Sequence, residues 1–163
     1  MGTNYEVIKI GWDEVRKLTK NILSQIQENG IQIDTLVPIV RGGMPLALFL
    51  SSNMKNVDTA CIHIKRSLTN TVNAAFGIPK VLGITNPESI EGKNILLTED
   101  TVDIGLTLDC AIEEIKKHNP KNIYIATFYN FNKEKYSEII CGEYKEEQCW
   151  IVFPWEEDIV NGK

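Results

Sequence analysis

The chain has 163 residues, 43% of them hydrophobic, and carries a formal net charge of −5 with a pI near 5.1. This length and apolar content fit one domain with a substantial core. The acidic balance argues against a nucleic acid or a polyanionic membrane surface as a general partner, because both bind clusters of Lys and Arg. A small anionic substrate is still compatible, since it needs only a local site.

The cysteine and histidine content gives little sign of a structural metal or of disulfides. The four cysteines form no CxxC pair and only two histidines are present, so neither a tetrahedral zinc site nor a disulfide framework is expected. The start of the chain does not resemble a signal peptide, and no apolar stretch is long enough for a membrane span. We therefore expect a cytoplasmic protein.

The first part of the chain alternates helical and strand patterns. Residues 11–28 repeat apolar side chains every three or four positions, which predicts an amphipathic helix. These side chains are Trp12, Val15, Leu18, Ile22 and Ile26. Residues 35–40 predict a strand, although Pro38 favours an edge or a strand end. Residues 44–52 predict a helix, and the alternation in residues 59–65 predicts a second strand.

The second part continues the same rhythm. Residues 95–98 predict a third strand, residues 108–118 a helix and residues 122–128 a fourth strand. This alternation predicts an α/β fold with a doubly wound, mainly parallel sheet. Two segments lack a persistent period: a stretch at about 66–92, interpreted as a flexible loop that closes over a site, and an irregular tail from residue 130.

The most informative segment, residues 95–108, reads ILLTEDTVDIGLTL. If the strand ends at Thr98, Glu99 and Asp100 lie where open α/β sheets bind ligands, outside the carboxyl ends of the strands. Both carboxylates can accept hydrogen bonds from vicinal hydroxyls. The turn at 103–107 leads into a helix whose first amides have no intrahelical partners, which favours a bound anion. The segment therefore predicts a site for a phosphorylated sugar.

A second glycine turn comes earlier, where Arg41, Gly42 and Gly43 join a strand to a helix. Consecutive glycines expose successive N–H groups and permit costly dihedrals, and Arg41 adds a permanent positive charge, so a diphosphate would fit. Each motif alone has a plainer alternative. The first turn can be an ordinary tight turn, and the acid pair can belong to an acidic turn capped by Thr107.

Taken in order, the two motifs resemble the signatures of type I phosphoribosyltransferases. Glu99, Asp100 and the turn at 103–107 resemble the ribose-phosphate signature, and the turn at 41–43 is similar to the pyrophosphate loop. The likeness is strongest to the small xanthine-guanine and hypoxanthine-guanine enzymes of the purine branch, and it covers nearly the whole chain as one domain, residues 1–163. Ile104 stands where the signature has Thr, so one hydroxyl donor to phosphate is replaced by an apolar side chain.

The resemblance implies transfer of ribose 5-phosphate from phosphoribosyl pyrophosphate to a nucleobase. The expected base is a 6-oxopurine (hypoxanthine, guanine or xanthine) in purine salvage, with Mg²⁺ as cofactor and a homodimer as the assembly. Asp103 would take or relay the proton of the base, and Glu99, Asp100 and Glu157 would hold the metal. The residues expected at ribose and its 5-phosphate are Glu99, Asp100, Thr101, Val102, Ile104, Gly105, Leu106 and Thr107. Those expected at pyrophosphate are Arg41, Gly42, Gly43, Lys65 and Arg66.

The tail at about 130–160 resembles the hood that covers the base in the purine enzymes. By that similarity Trp150 stacks on the purine, the backbone of Ile151 reads its edge, and Glu156 lies near the metal or the exocyclic group. Trp155 is assigned to the core instead.

One departure from the purine enzymes concerns Asn130, which aligns with a Lys that donates to the oxygen on carbon 6. An ammonium can only donate, whereas an amide can donate or accept. An aminated or smaller base is therefore open, and Lys133 or Lys135 is an alternative donor.

Two further functions are open from the residues. A regulatory protein could keep this fold and sense nucleotide or phosphoribosyl pyrophosphate without turnover. A phosphatase or phosphotransferase could use the acids as metal ligands. Haloacid dehalogenase-type enzymes need Asp-x-Asp at a strand end, whereas Glu99 and Asp100 are adjacent, so this function ranks last.

Overall fold

A computed structural model describes residues 6–67 and 76–156 of the chain. The helices in these ranges are α1 (Trp12–Glu28), α2 (Met44–Ser51) and α3 (Leu106–Lys116). The strands are β1 (Glu6–Lys9), β2 (Thr35–Val40), β3 (Asp58–Thr59), β4 (Cys61–Ser67), β5 (Phe76–Thr85), β6 (Asn94–Val102), β7 (Asn122–Asn130), β8 (Ile140–Tyr144) and β9 (Cys149–Val152). A short 3-10 turn covers Pro87–Ser89.

The main sheet has seven strands and confirms the predicted fold class. Its order is β5-β4-β2-β6-β7-β8, with β3 beside the start of β2. Every pair in this sheet is parallel except β4 with β5, which is antiparallel. A separate pair, β1 with β9, is also parallel. The carboxyl ends of β2, β4, β6 and β7 therefore meet at one edge, where an α/β sheet binds its ligands.

Apolar side chains cover both faces of this sheet. On β6, Ile95 and Leu97 pack with the residues of α3, while Leu96 packs on the other face with those of α1 and α2. The predicted inner face of α1 is confirmed at Val15, Leu18, Ile22 and Ile26, which are all buried. Full burial of such a side chain contributes about 1.5–3 kcal/mol, so α1 is held by packing. Trp12 differs from its neighbours in α1 and is 48% exposed.

Pro38 lies in a central strand, not at the edge that its residue type suggested. On one side β2 pairs with β6 through Pro38 and Thr98. On the other side, β3 pairs with β2 up to Leu36 and β4 pairs with it from Ile39. Pro38 thus falls in the break between two short partners, where a missing N–H interrupts no ladder.

Two segments interpreted as irregular contain strands. The predicted loop at about 66–92 is wrong over Phe76–Thr85, which forms β5, and residues 68–75 lie outside the described ranges. The pairing of β5 with β4 shifts register twice, and Ile78 is 92% exposed, so no alternation was visible in the sequence. The tail was also expected to be irregular, but β8 extends the main sheet and β9 pairs with β1.

No helix in the described ranges is long and apolar enough to cross a membrane.

Candidate active site

The acid pair lies where β6 extends beyond the end of its pairing with β2. The last paired residues of these strands are Pro38 and Thr98, yet β6 continues to Val102 alongside β7. The prediction that the strand ends at Thr98 is therefore wrong by four residues. Glu99 and Asp100 lie within the strand, with β7 on one side and the turn at 41–43 on the other.

The close packing around that turn leaves no room for a side chain at Gly42 or Gly43. A Cβ on Gly42 would contact the Asp100 carboxylate and would lie 2.8 Å from Glu99 Oε1. A Cβ on Gly43 would collide with the Thr98 carbonyl oxygen, and the Thr98 hydroxyl donates to the Gly43 carbonyl at 2.9 Å. Neither glycine has a positive φ, so the expected role in permitting costly dihedrals is wrong. The turn instead packs directly on the acid pair.

Burial of two adjacent carboxylates shifts both of their pKa values upward. Burial is the main cause of the raised pKa of Glu99, and the charge of Asp100 raises it further. Burial also raises the pKa of Asp100 to about 6. A hydrogen bond from the Thr101 N–H lowers this pKa, and the charge of Glu156 raises it. No ion pair within residues 6–67 and 76–156 involves either acid. The site thus favours a proton or a cation.

We expect Asp100→Asn to stabilise the ligand-free protein at neutral pH. The folded state holds the Asp100 proton more tightly than the unfolded chain, so its contribution to stability is complete below about pH 4 and is lost as the pH rises through about 6. The substitution should raise the free energy of unfolding by about 1–2 kcal/mol at pH 8 and change it little at pH 4. Urea denaturation at both pH values measures this, with the exposed Asp58→Asn as control. Equal effects at both pH values would contradict the prediction.

The second turn begins α3 and leaves its first amides available. Gly105 has a φ of 79°, is the N-cap of α3, and makes no side-chain cap hydrogen bond. Thr107 lies inside the helix, so the alternative of an acidic turn capped by Thr107 is wrong. The Asp109 N–H is the first to donate along the helix, to the Gly105 carbonyl at 2.9 Å. Ile104 and Leu106 are about half exposed, so the turn is open to a ligand.

Tyr136 fixes this turn from behind. A Cβ on Gly105 would collide with the Tyr136 hydroxyl, which donates to Asp109 Oδ1 at 2.7 Å and approaches the Gly105 carbonyl at 3.2 Å. Lys135 Nζ donates to Asp109 Oδ2 at 2.5 Å and lies 3.5 Å from the Ile104 carbonyl. Lys135 is therefore engaged with the turn in this structure, and its use as a base-reading donor stays a prediction.

Tyr136→Phe should lower the free energy of unfolding by about 1 kcal/mol, because it removes a buried hydroxyl that bonds to the turn. Tyr124→Phe is the matched control, since the Tyr124 hydroxyl makes no hydrogen bond within the described ranges. Urea denaturation of both variants gives the difference. A loss of the same size in the two variants would show that the contact to Gly105 contributes nothing.

Asn130 does not reach the site. Its side chain is 0% exposed, its Nδ2 donates to the Tyr136 carbonyl at 3.1 Å, and its Oδ1 accepts from the Asn132 N–H at 2.8 Å. The prediction that Asn130 binds the base is therefore wrong, because this short amide closes the turn after β7. The other alternative, Lys133, lies over the Tyr144 ring at 5.0 Å.

The hood brings its last residues towards the acids. The charge of Glu156 acts on Asp100, and Glu156 Oε2 accepts from the Phe153 N–H at 2.9 Å. Trp155 stacks on Phe153 with 4.5 Å between ring centroids, which confirms its assignment to the core. Trp150 contacts no aromatic ring in the described part of the chain, so its stacking on a base stays a prediction.

The other predicted site residues lie on β9, at the end of β4 and beyond the described residues. Ile151 has a buried side chain and its backbone pairs β9 with β1. Lys65 and Arg66 follow the last residue of β4 that pairs with β2, at the same sheet edge as Arg41. Glu157 lies outside the described residues. Within those residues no group of three or more His, Cys, Asp or Glu side chains is arranged to hold a metal ion.

Sequence reasoning missed one contact at this edge. Gln148, in the loop between β8 and β9, donates from Nε2 to Asp103 Oδ1 at 2.7 Å. Its position two residues before Trp150 was the only sequence signal, and it is a weak one, because an exposed Gln in a loop is common.

Comparison with known proteins agrees with this geometry. Residues 2–160 match the phosphoribosyl transferase domain family, so the chain belongs to that family. The hypoxanthine-guanine phosphoribosyltransferase of Bacillus subtilis is 26% identical over 129 residues, which is 78% of this chain and 70% of that protein. Human phosphoribosyltransferase domain-containing protein 1 is 23% identical over 122 residues, 71% of this chain, and the match spans only 53% of that protein.

A solved structure matches over nearly its full length. The purine phosphoribosyltransferase of Pyrococcus horikoshii superposes with a TM-score of 0.72 at 25% identity, covering 97% of this chain and 99% of that chain. The resemblance to type I phosphoribosyltransferases of the purine branch is thereby confirmed.

Proposed function

We propose that this protein transfers ribose 5-phosphate from phosphoribosyl pyrophosphate to a purine base, releasing pyrophosphate. One observation carries the proposal: Gly42 of the 41–43 turn packs directly on the carboxylates of Glu99 and Asp100, and Gly43 packs on the Thr98 backbone just before them. A second glycine turn opens α3 a few residues after the same acids. A sugar held by the acid pair would therefore have an anion site at each of its two phosphorylated ends.

Each group of residues at this sheet edge has its own role in the proposed reaction. The bond from C1′ of ribose to pyrophosphate breaks with its electron pair leaving on the pyrophosphate oxygen, beside Arg41. N9 of the base forms the new bond to C1′, and the proton on N7 passes to the Asp103 carboxylate. Glu99 and Asp100 hold the ribose hydroxyls, and their charge stabilises the positive charge that develops on the sugar. The amides from Ile104 to Thr107 hold the 5-phosphate.

We also propose that Glu99 and Asp100 bind Mg²⁺ together with the substrate. The fit rests on their chemistry, since they are hard oxygen donors whose raised pKa values reflect burial without a neutralising ion pair in the described ranges. Bound Mg²⁺ would neutralise charge on the leaving pyrophosphate. Glu156 is close enough to act electrostatically on Asp100 and would add to the attraction for a cation.

A 6-oxopurine is the proposed base, which would place the enzyme in purine salvage. Support comes from the hypoxanthine-guanine enzyme of Bacillus subtilis and the purine enzyme of Pyrococcus horikoshii among its relatives. We propose a homodimer by the same likeness, which light scattering would test.

The deciding experiment incubates the protein with phosphoribosyl pyrophosphate, Mg²⁺ and a panel of bases, and measures both nucleotide and pyrophosphate. The panel contains hypoxanthine, guanine, xanthine, adenine and uracil. We expect equal amounts of nucleotide and pyrophosphate with at least one 6-oxopurine. Turnover of adenine or uracil alone would overturn the choice of base, and no nucleotide with any base would overturn the activity.

A sensor that binds phosphoribosyl pyrophosphate without turnover is the second candidate. The burial of Asn130 favours it, because the position that aligns with the base-reading Lys presents no donor to the site. Micromolar binding of phosphoribosyl pyrophosphate in calorimetry, with no nucleotide formed from any base in the panel, would identify this function.

A further inference from the structure

The contact between Gln148 and Asp103 joins the hood to the sheet edge that carries the acid pair. Gln148 lies in the loop between β8 and β9, and Asp103 directly follows β6. Gln148 Nε2 donates to Asp103 Oδ1 at 2.7 Å, across 45 residues of sequence. Both side chains are exposed, so they are accessible to a molecule that enters the site.

The chemistry of the two groups determines how this amide is oriented. A carboxylate can only accept hydrogen bonds, and only the NH₂ group of Gln can donate. Nε2 must therefore face Asp103, with one of its two hydrogens used in that bond. The second hydrogen on the same nitrogen is left to donate to a neighbouring acceptor.

A purine bound at this edge would present such an acceptor. N7 and the oxygen on carbon 6 lie side by side on one edge of a 6-oxopurine, close enough for a single planar group to contact both. If Asp103 meets N7, as the proposed function requires, a donor bonded to Asp103 lies next to the position of the oxygen.

The other candidate donors are engaged elsewhere. Asn130 is buried and bonded to its own turn. Lys135 pairs with Asp109, and Lys133 lies over the ring of Tyr144. Gln148 thus contacts Asp103 directly and has a second N–H that it can donate to a ligand.

We propose that Gln148 reads the 6-substituent of the base and selects an oxygen over an amino group. The selection follows because Nε2 faces the substituent with a donor, which an amino group cannot satisfy through its own N–H bonds. The inference rests on the proposed function, since it takes Asp103 to face the base.

Gln148→Leu tests the assignment, because Leu has a similar size and no hydrogen-bonding group. We expect kcat/KM for hypoxanthine to fall about tenfold, which is the loss of one hydrogen bond at about 1.4 kcal/mol. For unsubstituted purine, which lacks the oxygen, we expect a change of less than twofold. The KM for phosphoribosyl pyrophosphate should be unchanged, and Gln148→Lys should restore the preference for hypoxanthine because it keeps a donor.

Glu147→Ala, in the same exposed loop, is the control and should leave both bases unaffected. Equal losses for hypoxanthine and purine in Gln148→Leu would overturn the proposal and show that Gln148 only positions Asp103. Unchanged kinetics with both bases would also overturn it.

Binding of nucleotides separates this inference from the activity itself. If the wild-type protein forms no nucleotide, the proposed function fails, and calorimetry then compares inosine monophosphate with the ribonucleotide of unsubstituted purine. A tenfold loss of affinity in Gln148→Leu for inosine monophosphate alone would support Gln148 as the reader of the oxygen. Equal affinities in wild type and variant would overturn it.

Discussion

Asp103→Asn is expected to slow nucleotide formation at least 100-fold while phosphoribosyl pyrophosphate still binds. The two side chains have nearly the same shape, and an amide cannot accept the proton of the base. General acid–base assistance by a positioned side chain contributes about 10²–10⁴-fold. The fall should therefore appear in kcat, measured by nucleotide release, with the affinity for phosphoribosyl pyrophosphate in calorimetry changed less than threefold.

The matched control for this variant is Asp13→Asn, on the exposed first turn of α1. It removes one negative charge from an almost fully exposed side chain that pairs with Arg16, and its kcat should equal that of the wild type. If Asp103→Asn turns over at the wild-type rate, Asp103 is not the proton acceptor. If the variant loses affinity for phosphoribosyl pyrophosphate to the same degree as it loses rate, its role is in binding.

Gly43→Ala is expected to be the most damaging change to the site as a structure. A Cβ at this position would collide with the Thr98 carbonyl oxygen and would lie 2.9 Å from the Ile39 nitrogen, so two backbone segments must separate. Forcing extra volume into a packed site typically costs about 1–3 kcal/mol, and a backbone obstacle places this variant at the upper end, about 3 kcal/mol. Urea denaturation measures the loss of stability.

Gly83→Ala is the control, because a Cβ on Gly83 would meet nothing within 4 Å. Its stability should stay within about 0.5 kcal/mol of the wild type, as for exposed substitutions generally. In Gly43→Ala the 41–43 turn should also move away from the acid pair, raising the KM for phosphoribosyl pyrophosphate. A stable variant with normal kinetics would mean that this turn does not form one end of the substrate site.

The acid pair shows how the fold positions charges that it does not stabilise by itself. Thr98 ties β6 to the glycine turn, and Thr127 of β7 donates from its hydroxyl to the Asp100 carbonyl at 3.0 Å. These bonds hold the backbone of the acids between two neighbours while their carboxylates are desolvated. Burial of this kind raises the pKa values of both carboxylates, and a bound cation would stabilise their charged forms and thereby the folded protein.

The amino-acid sequence by itself determined the fold class, the helices α1, α2 and α3, the strands β2, β4, β6 and β7, and the two motifs of the site. Local patterns suffice for these features. In α1 the apolar residues recur every three or four positions, and β2 and β6 are short apolar runs. Each pattern reflects which face of a single helix or strand is buried, so it can be recognised from neighbouring residues alone. The acid pair and the glycine turns are likewise recognised from adjacent residues.

Only the tertiary structure decided which side chains meet. The sequence could not show that Gly42 packs on Asp100, that Gln148 bonds to Asp103, or that Asn130 turns away from the site. Such contacts join residues tens of positions apart, and a side chain's direction depends on where its strand ends relative to the next strand. β5 was missed for a related reason, because its register shifts follow its partner β4 and leave no period in its own residues.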